Sequence, residues 1–74
     1  MKEYYFSLRM SYSDCLAIYY GQVQHAVLIS EEGVRVQLPV SRIRNHIDAL
    51  GIRGRFRLLI DENNKIVEFV RVSH

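Results

Sequence analysis

Gly51-Ile52-Arg53-Gly54-Arg55-Phe56-Arg57-Leu58-Leu59-Ile60 is the stretch whose reading decides the fold. Two glycines bracket a tight connection, and beyond Gly54 the residues alternate at the period of a strand. Phe56, Leu58 and Ile60 fall on one side, Arg55, Arg57 and Leu59 on the other. The first side needs a core; the second presents guanidinium groups. Downstream, Asp61-Glu62-Asn63-Asn64-Lys65 is turn material, because Asn and Asp bond their own backbone and tolerate left-handed conformations. Ile66 to Val72 reads as the last strand, with Ile66, Val70 and Val72 on one face and Val67 and Phe69 on the other. A strand apolar on both sides is central, or its second face meets helices or another chain.

Upstream, Glu3 to Met10 alternates as well. Tyr4, Phe6, Leu8 and Met10 face a core, and Glu3, Tyr5, Ser7 and Arg9 face away. Ser11, with Asp14 three residues on, is a variant capping box. Tyr12, Cys15, Leu16 and Tyr19 then form the stripe of a short helix closed by Gly21. Cys15 in that stripe reads as a small buried hydrophobe rather than a nucleophile, since no histidine shares a motif with it. Gln22–Ser30 and Val34–Leu38 make a hairpin around Glu31-Glu32-Gly33. Its second strand turns Val34, Val36 and Leu38 one way and Arg35 and Gln37 the other, and Pro39 ends it. Ser41 reads as the N-cap of a second helix, with Ile43, Ile47 and Leu50 as its stripe and Gly51 as its close. Arg42 and Arg44 in the first turn oppose the helix dipole.

These elements give an α+β fold: an antiparallel sheet of about five strands with two short helices, in the order β-α-β-β-α-β-β, open or partly curled into a barrel. The 74 residues form one domain, 1–74. The expected core is Phe6, Leu8, Leu16, Tyr19, Val27, Ile29, Val36, Leu38, Ile43, Ile47, Phe56, Leu58, Ile60 and Val70. A chain this short buries only about 60% of its unfolded surface. One cysteine rules out an internal disulfide, so self-association is the natural source of extra buried area. A hydrophobic content of 49% excludes disorder. No apolar run approaches the ~18 residues of a membrane span, so no membrane role is expected. A lone thiol and an N-terminus without a signal-peptide core point to the cytoplasm.

The pattern Tyr4-Tyr5-Phe6, Tyr19-Tyr20-Gly21, Val36-Gln37-Leu38-Pro39, Gly51 through Arg57 and Asp61 through Lys65 resembles a family of short bacterial proteins, domain-of-unknown-function family 2835. The resemblance covers nearly the whole chain, and the glycine-flanked arginine stretch is its most specific part. It implies a bacterial, cytoplasmic, free-standing small protein. It implies no activity, cofactor or functional residue.

Catalysis is not expected. Asp61 and Glu62 diverge from a turn, His25, His46 and His74 are far apart in sequence, and no Cys/His spacing suits a metal. No cofactor is expected either, because Gly51-x-x-Gly54 is too short for a dinucleotide fingerprint and opens a strand. Charge is the more informative signal. Arg35, Arg42, Arg44, Arg53, Arg55 and Arg57 stand against Asp48 alone in residues 33–60, while both flanking segments are acidic. Two readings follow. In the first, the chain is a non-enzymatic interaction module that self-associates or binds a protein partner through Tyr5, Leu59, Val67 and Phe69. In the second, the six arginines bind nucleic acid or another polyanion, with Arg35, Arg55 and Arg57 projecting from neighbouring strands onto one sheet face.

Overall fold

Alternation at period two places nine residues, Ile52–Ile60, in one continuous strand, β4, which passes straight through Gly54. The computed structural model describes residues 1–74. β4 lies between β1 (Lys2–Met10) and β5 (Ile66–Ser73) in a three-stranded antiparallel sheet. A second, two-stranded sheet is the hairpin of β2 (His25–Ile29) and β3 (Arg35–Pro39). A 3-10 turn (Ser13–Cys15) and α1 (Leu16–Tyr19) join β1 to β2, and α2 (Val40–Arg44) follows β3. The chain is therefore α+β, with five antiparallel strands and two short helices, and no closed barrel forms. The single five-stranded sheet expected from the sequence is replaced by two sheets, and the 3-10 turn is an addition to the expected order. No helix is long and apolar enough to cross a membrane.

The core is the space between the two sheets. Phe6, Phe56, Leu58 and Phe69 from the larger sheet meet Leu38 from the hairpin, Ile43 from α2, Cys15 and Ile52. Ala26, Leu28 and Val36 close over them from the hairpin side. The hairpin therefore covers the larger sheet face-on instead of extending it. One backbone bond links their margins, from the Glu31 N–H to the Tyr5 carbonyl at 2.8 Å.

Val27 and Ile29, expected inside, point outward and are 49% and 56% exposed. The cause is cross-strand register. Ala26 pairs with Leu38 and Leu28 with Val36, so the inward residues of β2 are those opposite the inward residues of β3. Only one phase of β3 is apolar, whereas both phases of β2 are; β3 sets the phase for the pair.

β5 departs from simple alternation. Ile60 pairs with Ile66 but Leu59 with Glu68; Phe56 pairs with Arg71 but Arg55 with Ser73. Val67 and Val72 are the residues left without partners, each an inserted residue of a β-bulge thrust outward. The first bulge flips the phase, so Phe69 lies opposite Leu58 in the core, and Val70 sits half-buried opposite Arg57 on the outer face. Their expected positions were the reverse.

The helices are shorter than the apolar stripes suggested. Ser11 Oγ accepts from the Asp14 N–H at 3.3 Å, as a cap would. In the turns that follow, Cys15 and Ile18 are buried, while Tyr19, expected in the core, is exposed and Leu16 is half-buried. Pro39, not Ser41, is the N-cap of α2; its backbone is extended, with ψ at 134°, and no side chain caps the helix start. α2 ends at Arg44, so Leu50 lies outside it and is exposed, while Ile47 still packs on the core from the following loop.

Candidate functional site

The outer face of the three-stranded sheet is a small grid fixed by strand register. Tyr5 lies opposite Arg57, Ser7 opposite Arg55, and Arg9 opposite Arg53. On the β5 side, Glu68 lies beside Leu59 and Val70 beside Arg57.

Two of the three β4 arginines have carboxylate partners within the chain. Arg55 makes a bidentate pair with Glu31, Nε to Oε2 and Nη2 to Oε1, both at 2.9 Å. Ser7 Oγ donates to the same carboxylate at 2.9 Å, and the Arg55 guanidinium carbon lies 4.1 Å from the Tyr5 ring centroid. Arg57 pairs with Glu68 through Nη2. Arg53 and Arg9 are exposed, directly opposite each other, and paired with no carboxylate.

The remaining arginines lie elsewhere. Arg35 is on the outer face of the hairpin opposite Ile29, so it shares no sheet with Arg55 and Arg57. Arg42 and Arg44 are exposed on α2, a helix so short that they also occupy its last turn, where cations suit the dipole. Arg44 lies 5.7 Å from the Tyr19 ring centroid. The six arginines thus do not form one surface, and the expected alignment of Arg35 with Arg55 and Arg57 fails because β3 and β4 belong to different sheets.

Of the four residues expected at an interface, Val67 is exposed, Tyr5 and Leu59 are half-buried, and Phe69 is buried in the core. An exposed apolar pair is one the alternation of β2 concealed: Val27 and Ile29 on the outer face of the hairpin. A second exposed group is aromatic. Tyr12 and Tyr19 have ring centroids 6.2 Å apart, and Tyr19 and Tyr20 5.3 Å. Burial and the neighbouring Tyr20 and Tyr19 push the Tyr12 hydroxyl above its ordinary pKa.

Cys15 is fully buried, and burial pushes its thiol up, leaving it neutral and unsuited to nucleophilic attack at ordinary pH. His46 is structural: Nε2 lies 3.1 Å from the Phe69 carbonyl, and its ring meets Phe56 and Phe69 edge-on. No three His, Cys, Asp or Glu side chains converge as metal ligands would.

The Glu31 cluster has a pH consequence. Hydrogen bonds from Arg55 and then Ser7 hold the Glu31 carboxyl below the ordinary glutamate range. A depressed folded-state pKa stabilises the fold above the unfolded value, about 4.3, and that contribution is lost as pH falls through the lower folded value. Thermal melts below about pH 4 should therefore show a smaller pH-dependent loss for Glu31→Gln than for the parent, from a lower starting point at neutral pH. Parallel profiles would mean that the cluster does not hold in solution.

No match to the chain is found among curated proteins or among solved structures. A family model does match, over residues 2–72, with Tyr5, Arg53, Arg55, Arg57 and both sheets inside its span. The chain belongs to the family described as Protein of unknown function (DUF2835).

Proposed function

We propose that this protein is a non-catalytic interaction module that self-associates through the outer face of the β2–β3 hairpin. The observation that carries the reading is the outward phase of Val27 and Ile29 on a sheet of only two strands. Two-stranded sheets are marginal in water unless another surface covers them. Here the core covers one face and nothing in the chain covers the other.

Surface area supports the same reading. A folded monomer of this mass exposes about 4,700 Å² by the usual scaling. This chain exposes 5081 Å², and only 11 of its 74 residues are buried. Association of two hairpin faces about a two-fold axis would remove apolar area without any change in the fold. On that face Gln37 lies opposite Val27 and Arg35 opposite Ile29, so an apolar strand and a polar strand stand side by side.

Sedimentation velocity across a concentration series tests the proposal. The parent chain should pass from monomer to dimer between micromolar and millimolar concentrations. Val27→Asp with Ile29→Asp should remain monomeric throughout, because each buried carboxylate costs several kcal/mol. Val67→Asp, on the opposite sheet, should dimerise like the parent. A parent chain monomeric at millimolar concentration would sink the reading.

A further inference from the structure

The end of the three-stranded sheet remote from the β4–β5 turn carries an electrostatic conflict. Arg9 and Arg53 face each other across β1 and β4, and like charges directly opposite destabilise a strand pair. Neither has a carboxylate partner, although Arg55 and Arg57 on the same strand do. Arg71 adds a third guanidinium. It packs 5.4 Å from the Phe56 ring centroid, and its buried Nε has no hydrogen-bond partner in the chain. Gly54 makes room for it: a Cβ there would lie 3.1 Å from Arg71 Nε and 2.6 Å from the Ser73 carbonyl.

These groups surround concave surface. Arg53 and Arg71 line a cleft of about 390 Å³ with Asp48, Leu50 and His74. Arg53 also lines two neighbouring hollows, both of which include Arg9. Asp48 is the only carboxylate side chain in the three, and its Oδ1 already accepts from the Leu50 N–H at 2.8 Å. Asp48 also borders the next hollow, lined by Tyr12, Tyr19, Ile47 and Ala49. The basic clefts therefore run into the tyrosine cluster, beside which Arg44 stands.

We propose that this continuous surface binds single-stranded nucleic acid, with Arg9, Arg53 and Arg71 on phosphates and Tyr12 and Tyr19 as the stacking platform. Guanidinium forks suit phosphate oxygens, and a phosphate between Arg9 and Arg53 relieves their repulsion. Exposed aromatic rings beside a basic groove favour a strand whose bases are free to stack over a duplex, whose bases are already stacked. The tyrosines also favour nucleic acid over an acidic peptide, which would use the arginines alone. The surface is separate from the hairpin face and does not depend on it.

Fluorescence anisotropy with labelled oligo-dT and oligo-U, a duplex of equal length and a polyglutamate peptide tests this on the full chain. The single strands should bind most tightly, with a log–log salt slope of about −2 for three phosphates engaged. Arg53→Gln should reduce that slope by about 0.7. Tyr19→Leu should weaken binding about tenfold while leaving the slope unchanged. Lys65→Gln, in the turn between β4 and β5 at the other end of the sheet, should bind like the parent, and circular dichroism should show every variant folded. No binding at low salt, equal binding of polyglutamate, preference for duplex, or equal losses for Lys65→Gln and Arg53→Gln would each overturn the proposal.

Discussion

Gly51→Ala is expected to lower the melting temperature by about 10–40 °C, or to leave no cooperative transition at all. Gly51 is buried with φ at +102°, and mutual backbone bonds with Asp48, at 2.9 and 3.0 Å, close a tight turn before β4. A Cβ at this position would lie 2.0 Å from the Met10 carbonyl oxygen, 2.6 Å from the Ser11 carbonyl carbon and 2.8 Å from the Tyr12 nitrogen. All three are backbone atoms, so no side chain can swing aside. Left-handed strain and overpacking together cost about 2–6 kcal/mol. A chain of this length has about 4–11 kcal/mol of stability in total. Gly33→Ala provides the control. Its φ is also positive, +85°, but a Cβ there would meet nothing within 4 Å, so only the backbone strain remains. Equal losses at the two positions would show that the close approach of β1 to Gly51 is not real.

Phe56→Ala is the second large effect. The ring is fully buried at the centre of β4, stacked on Phe69 at 5.2 Å, with the edge of His46 at 5.0 Å and the Arg71 guanidinium at 5.4 Å. Truncating a buried phenylalanine costs about 3–5 kcal/mol, a large share of this chain's margin. Urea denaturation should show a midpoint shifted accordingly, whereas Leu59→Ala, on the half-buried outer face, should lose about 1 kcal/mol or less. A comparable loss from both would mean that the inner and outer faces of β4 have been exchanged.

The strands of the larger sheet were legible because their apolar residues occupy one phase only. Phe6 on β1, and Phe56 and Leu58 on β4, sit where alternation puts them. β2 is not legible in the same way because both of its phases are apolar, so alternation alone does not choose between Val27 with Ile29 and Ala26 with Leu28. The partner strand decides such cases, and sequence order alone does not show which residues will face each other. β5 was misread for a different reason: no local feature of Ile66–Ser73 announces that Val67 and Val72 will be inserted. The arginines illustrate the same limit. Their density was plain, but the partner of Arg55 is Glu31, 24 residues away, and only the docking of the hairpin turn against β1 joins them. Alternation puts Arg9 on the outward side of β1 but does not show which strand lies beside it, and Arg71 is hidden among the apolar residues of β5.

Both margins of the larger sheet carry a foreign donor near mid-strand. The Glu31 N–H takes the Tyr5 carbonyl on the free side of β1, and the His46 ring takes the Phe69 carbonyl on the free side of β5. Neither border therefore offers an uninterrupted row of amides and carbonyls to an incoming strand. Lateral growth of the larger sheet into fibres is thereby discouraged.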